Sequence, residues 1–236
     1  MSKKVAVITG GSAGIGEASA RALARDGWHV VVAARRLEKC QAIAGEIGGE
    51  AVELDVTDAG SVEKLASKLE RCDLLVNNAG GAKGLDYLRE ADDADWEWMF
   101  ATNVMGTMRV TRALYPQLKA ANGLVINIGS VAATDAYKGG SGYNAAKYGL
   151  RGVTRAFRRE EAENQIRVTE IDPGRVKTDF SLNRFEGDTQ RADAVYEGKV
   201  NLTAEDIAEA VRWVASLPPH VNIDTMSVMP VDQAER

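Results

Sequence analysis

A doubly wound α/β domain built on a parallel sheet is the fold class this sequence predicts, and three observations predict it. Short runs rich in Val and Ile recur along the 236 residues, longer amphipathic segments separate them, and no Pro- or Ser-rich linker or repeat divides the chain. Strand and helix alternating this often imply right-handed β–α–β units stacked into one sheet with helices on both faces. A hydrophobic fraction of 45% supplies a sizeable core, so a single domain over residues 1–236 is expected.

The expected strands, in order, are "KVAVIT" (4–9), "HVVVAA" (29–34), "EAVELDV" (50–56), "DLLVN" (73–77), "GLVINIGS" (123–130), "IRVTEID" (166–172) and "NIDTMSVMP" (222–230). The first, second, fourth and fifth are nearly continuous apolar runs, the pattern of strands buried on both faces. "IGEASARALARDG" puts Ile15, Ala18, Ala22 and Leu23 on one side of a helix that stops at Gly27. "AGSVEKLASKLERC" does the same with Val62, Leu65, Ala66 and Leu69. Residues 178–201 are polar and lack a clear period, which predicts a substrate lid in competition with a plain surface insertion. "TAED" at 203–206 then signals a helix start.

Charge and cysteine content exclude several classes. A net charge of −5 with both signs interspersed argues against a nucleic-acid partner. Cys40 and Cys72 lack C-x-x-C spacing, so neither a disulfide nor a metal site is expected. No run approaches the roughly 18 apolar residues a membrane helix needs. A soluble, cytoplasmic protein is the expectation.

"VAVITGGSAGIG" joins the first strand to the first helix. Glycines there allow a tight turn and bring backbone N–H groups close to a pyrophosphate at the positive end of a helix. Gly10, Ser12, Ala13, Gly14, Ile15 and Gly16 are the candidate contacts; a structural turn is the alternative. The second strand ends in Ala34, Arg35 and Arg36, where an NAD site carries an acidic residue. Two guanidiniums in that place suit a 2′-phosphate, so NADP is expected. Asp55 and Val56 after the third strand are placed for the adenine, with helix capping as the competing role for Asp55. Asn78, Ala79 and Gly80 in "NNAGG" let a flat ligand lie against the fourth strand's end.

"YNAAK" puts the Tyr143 phenol and the Lys147 ammonium one helical turn apart. Such a pair is an acid–base device or, by chance, a ring and a cation on a solvated face. A nearby ammonium and a positive nicotinamide favour the phenolate, so Tyr143 is the expected proton donor or acceptor for a carbonyl or alcohol oxygen. Ser130 is expected to hydrogen-bond that oxygen, and Asn103 to kink its helix and hold a water that links Lys147 to solvent.

With "TGGSAGIG" (9–16), "DV" (55–56), "NNAG" (77–80), Asn103, Ser130, "YNAAK" (143–147) and "PGRVKT" (173–178) in this order, the chain resembles the short-chain dehydrogenases/reductases. The resemblance implies a Rossmann-type seven-stranded parallel sheet and an Asn103–Ser130–Tyr143–Lys147 tetrad. In it Lys147 binds the nicotinamide ribose and lowers the tyrosine pKa. It further implies cofactor contacts from Pro173, Gly174, Val176 and Thr178, a small alcohol or carbonyl substrate, and homotetramers. "ARR", "SLNRFEGD" and "LPPHVNIDTMSVMP" resemble the NADP-dependent 3-hydroxy acid dehydrogenase branch, which acts on L-serine, L-allo-threonine or 3-hydroxy acids.

An acid substrate calls for a cation. Arg184 in the lid is the choice; Arg175, Lys177 and Lys138 are its competitors, and an ordinary solvated surface charge is the alternative for each. Other classes remain: a carbonyl or 3-oxoacyl-thioester reductase with the same tetrad, and a non-catalytic NADP-binding redox sensor. Ala146, Leu150, Val153 and Phe157 on the helix after Tyr143 form either core or an oligomer interface.

Overall fold

The structure is a computed structural model that describes residues 3–234. Its sheet contains β1 (Val5–Thr9), β2 (His29–Ala34), β3 (Glu50–Glu53), β4 (Leu74–Asn77), β5 (Leu124–Ile128), β6 (Arg167–Pro173) and β7 (Thr225–Val228). All neighbouring strands are parallel, in the order β3-β2-β1-β4-β5-β6-β7. The chain therefore runs outward from β1 in one direction and from β4 in the other, leaving a crevice between their carboxyl ends.

Alternation along the strands explains the two cores. Ala6 and Ile8 face one side of β1 and Val7 the other, and both sides are buried. On the first side pack α1 (Gly14–Arg25) and α2 (Leu37–Ile47), together with a late helix that carries Ile207, Val211 and Val214. The second side receives Val62 and Leu65 of α3 (Ala59–Ser67), then α4 (Asp93–Phe100) leads through a π-helical segment, Ala101–Gly106, into α5 (Thr107–Ala113). Val110, Leu114 and Leu118 extend that layer into α6 (Tyr115–Ala121). The long α7 (Ser141–Glu160) closes it, with Phe157 packed against the same cluster.

All seven expected strands are present; β2 keeps its expected bounds, β6 is shifted one residue on to Pro173, and the others are shorter. β3 stops at Glu53 because Asp55 turns the chain, accepting from the amide and hydroxyl of Thr57 at 2.9 and 2.7 Å. The helix expected to reach Cys72 ends at Ser67, where the Lys68 and Leu69 amides tighten onto the carbonyls of Leu65 and Ala66. Asp58, not Asp55, caps α3, accepting from Gly60 N at 2.9 Å. Both cysteines are free and buried.

Residues 178–201 hold two short helices, α8 (Phe180–Arg184) and α9 (Thr189–Ala194), joined where Ser181 Oγ donates to Tyr196 Oη at 2.8 Å. α10 (Ala204–Ser216) follows, opened by the expected capping box between Thr203 and Asp206. Ala146 and Leu150 are core, while Phe100, Met105 and Tyr148 stand exposed nearby. Among the described residues no helix is long and apolar enough to cross a membrane, and no cluster of His, Cys, Asp or Glu is arranged to hold a metal ion.

Candidate active site

The glycine turn lies beside the crevice, and Gly10 and Gly16 leave no room for side chains at their own positions. Gly10 and Gly14 adopt φ of +63° and +55°, a region that favours glycine. A Cβ on Gly16 would run into the carbonyl oxygen of Gly10, and one on Gly10 would come within 2.9 Å of Ala79 Cα. Asn78 ties β4 to this turn: its Nδ2 donates to Thr9 O at 3.0 Å and Gly10 O at 3.2 Å. Thr9 Oγ1 in turn accepts from the Asn78 and Ala79 amides, both at 3.0 Å. The result is a bare backbone cradle at the start of α1.

Ser12, Ala13 and Gly14 line an outer cleft of about 600 Å³ with Thr178. Arg36 reaches back to it, donating from Nε and Nη2 to Ser12 Oγ at 3.2 and 3.0 Å. Arg35 is exposed beside Asp55, whose carboxyl sits below its usual range: burial opposes this, but the Thr57 hydrogen bonds and the Arg35 charge prevail. Asp55 and Val56 lie farther along the same sheet edge.

A second cleft of about 690 Å³ is lined by Ile15, Asn78, Gly80, Ser130, Tyr143 and Lys147, with Pro173, Gly174, Val176 and Thr178 across from them. Thr178 borders both clefts. The cradle, the cationic Arg36–Ser12 corner and this long hollow fit an extended dinucleotide phosphate.

Ser130 caps a 3-10 turn, Val131–Ala133, its Oγ accepting from the Ala132 amide at 3.1 Å. Lys147 Nζ donates to Ile128 O at 2.9 Å and stands 5.7 Å from the Tyr143 ring centroid. Burial pulls the Lys147 pKa down to about 8, against the Glu170 and Asp172 carboxylates, which raise it. Burial also drives the Tyr143 phenol well above its ordinary range, helped by Tyr137 and Asp172 and opposed by the Ser130 hydroxyl and the Arg184 guanidinium. Desolvation thus works against the phenolate expected from sequence, and the positive nicotinamide included in that expectation works for it.

Asn103 lies in the π-helical segment Ala101–Gly106. Its Nδ2 donates to Met99 O at 2.7 Å and Gly81 O at 2.9 Å, and its Oδ1 accepts from Gly81 N at 3.2 Å. The side chain braces the "NNAGG" loop against α4.

Arg184 is not a surface charge. Only 8% exposed, it donates from Nε to Gly84 O at 2.6 Å and from Nη1 to Tyr137 Oη at 2.8 Å. Its Nη2 is buried with no hydrogen-bond partner among the described residues. Arg175 is committed to Asn201, Val200 and Asp232, and Lys138 lies over the exposed Tyr87 ring. Tyr137 and Phe180, which sequence reasoning did not single out, complete the wall; the Phe180 ring meets Tyr143 edge-on at 5.6 Å. A tyrosine beside "KGGSG" carried no motif to mark it.

The family model for short chain dehydrogenases matches residues 4–189. The chain belongs to the short-chain dehydrogenase/reductase family. An oxidoreductase of Mycobacterium tuberculosis is 53% identical over 98% of this chain and 93% of its own. The NADP-dependent 3-hydroxy acid dehydrogenase YdfG of Salmonella typhi is 42% identical over 98% and 96%. Among solved structures, the closed form of a serine dehydrogenase complexed with NADP+ superposes with a TM-score of 0.95 at 39% identity, covering 98% of this chain and 96% of that one.

Proposed function

We propose that the protein is an NADP-dependent dehydrogenase of small 3-hydroxy acids such as L-serine, L-allo-threonine or 3-hydroxypropionate. The observation that carries the substrate class is Arg184: a buried guanidinium with an unpartnered Nη2, its carbon 5.8 Å from the Tyr143 ring centroid. A buried, unsatisfied cationic donor is costly, and a substrate carboxylate satisfies it. The relatives that act on 3-hydroxy acids and serine support the same reading.

Bound NADP(H) supplies or receives the hydride. Tyr143 passes the proton: in reduction its neutral phenol donates to the carbonyl oxygen, and in oxidation it takes the hydroxyl proton. Ser130 Oγ holds the same oxygen by a hydrogen bond. Lys147 binds the nicotinamide ribose and keeps positive charge near Tyr143, so the phenolate left after donation is less unfavourable. Asn103 fixes the π-helical kink beside Gly81 and, in this reading, holds the water that connects Lys147 to solvent. Gly10, Ser12, Ala13, Gly14, Ile15 and Gly16 receive the pyrophosphate, Arg35 and Arg36 the 2′-phosphate, and Asp55 and Val56 the adenine. Asn78, Ala79, Gly80, Pro173, Gly174, Val176 and Thr178 flank the nicotinamide half.

The working form in this reading is a cytoplasmic homotetramer, for which exposed Phe100, Met105 and Tyr148 offer an apolar surface. Absorbance at the reduced-nicotinamide band tests the activity, with NADP or NAD and the three acids. Reduction of NADP alone, lost in Tyr143→Phe, is the expected result. Silence with all three acids alongside turnover of ketones or acyl thioesters would move the enzyme to the carbonyl-reductase class.

A further inference from the structure

Tyr143, Lys147 and Arg151 follow one another at four-residue steps on α7, so one buried stripe carries a phenol, an ammonium and a guanidinium. Arg151 has no role in the reaction above. Its Nε donates to Glu170 Oε1 at 3.1 Å, its Nη1 to Ala133 O at 3.0 Å, and its Nη2 pairs with Asp172 Oδ2. Glu170 and Asp172, two apart on β6, face the same side and are 1% and 0% exposed. Arg151 thus meets two carboxylates from one strand, one helical turn beyond Lys147.

This buried array holds the end of β5. Asp172 Oδ1 accepts from the Ser130 amide at 3.0 Å, Gly129 N donates to Ile171 O at 2.7 Å, and Lys147 Nζ donates to Ile128 O. Gly129 lies directly against the carboxylates: a Cβ there would strike Asp172 Oδ1 and come within 2.8 Å of Glu170 Oε1. Buried charges cost stability unless paired, and apolar residues of similar volume are often as stable, so such an array is weak evidence for a purely structural role.

We propose that Arg151, Glu170 and Asp172 are positioning residues for proton transfer at Tyr143: Arg151 holds the two carboxylates in place, Asp172 fixes the Ser130 backbone, and the two carboxylates supply the negative charge that keeps Lys147 an ammonium. This rests on the reading of Tyr143 and Lys147 as the acid–base pair. The charged and titratable groups around that pair are Arg151 on α7, Glu170 and Asp172 on β6, Tyr137 from the loop before α7, and Arg184 from α8. Burial raises both carboxyls, Glu170 to about 7, and each carboxylate that ionises steadies the Lys147 charge.

The test is Asp172→Asn and Glu170→Gln, which keep shape and remove charge. The Lys147 Cε resonance is followed by NMR in protein with carbon-13-labelled lysine and no substrate or cofactor, assigned by its loss in Lys147→Arg. The Lys147 midpoint is expected to fall by about half a pH unit or more. The alkaline limb of the kcat profile should move the same way, with KM for the acid little changed. Arg151→Lys, which keeps the charge, should retain the parent midpoint. A midpoint unmoved in both folded variants overturns the proposal, whether or not the enzyme turns over. A shifted midpoint in a protein inactive on every alcohol supports the charge coupling and sinks the acid–base reading instead. If Asp172→Asn does not fold, Glu170→Gln decides, because it leaves the Ser130 acceptor in place.

Discussion

The Arg184 guanidinium lies between two tyrosines, 5.5 Å from the Tyr137 ring centroid and 5.8 Å from that of Tyr143. α8 thereby reaches α7 through Arg184 as well as through Phe180. Arg184→Lys keeps a cation but loses the fork, and charge-assisted hydrogen bonds are worth about 1.5–3 kcal/mol. KM for 3-hydroxy acids should rise roughly 10- to 100-fold by that measure. Kinetics on an uncharged alcohol of similar size should change much less; equal loss on both substrates would deny Arg184 the carboxylate.

Tyr143→Phe removes the proton donor and leaves the ring against Phe180. Turnover should fall by roughly 10²–10⁴, the usual contribution of a positioned acid or base. NADPH binding, read by nicotinamide fluorescence, should stay near the parent value. A variant that kept its turnover would take the reaction away from Tyr143.

Arg36 is the better-held of the two candidate 2′-phosphate cations, because Ser12 Oγ fixes its fork. Arg36→Ala should lower the preference for NADP over NAD by about tenfold or more, one charge-assisted contact's worth. The ratio of kcat/KM for the two cofactors measures this. Arg35, exposed and without such a partner, should matter less.

Gly16 is where the turn has least room. Gly16→Ala forces a methyl onto the Gly10 carbonyl and the Asn78 amide, so it should cost about 1–3 kcal/mol, the range for overpacked sites. Thermal unfolding reads the loss, and dinucleotide affinity should drop with it. Gly45, with no atom near its missing Cβ, is the control: Gly45→Ala in α2 should be neutral or stabilising.

Lys147 makes stability depend on pH. Its folded pKa of about 8 lies below the ordinary 10.5, so between these values the unfolded chain binds the proton more readily. By linkage, its contribution to stability rises with pH across that window and is flat on either side. Lys147→Met should abolish this slope. Relative to the parent, the variant should look best below pH 8 and lose that advantage toward pH 10, by an amount on the order of 2–3 kcal/mol. Parallel melting curves for the two proteins would disprove the shift.

The sheet was legible because buried parallel strands leave continuous Val and Ile runs, as in "VVVAA" of β2. Glycine spacing and the Tyr143–Lys147 step are local patterns, so they too were visible. What sequence did not reveal depends on distance in space. The upward push on the Tyr143 pKa follows from burial, which no four-residue motif encodes. Sequence favours Arg184 among four candidate cations, but its burial against Tyr137 appears only once α8 folds, and Arg151 bears no local mark at all. The early end of α3 turns on two local amide bonds, the scale at which helix boundaries are hardest to read.

Gly129 has a practical consequence. Two carboxylates occupy the place a side chain would take there, so any residue at 129 must displace them. Shortening Asp172 would open that volume from below, and a residue introduced at 129 could then enter the space beside Ser130. Anyone reshaping this pocket by directed evolution should therefore vary 129 and 172 as one unit.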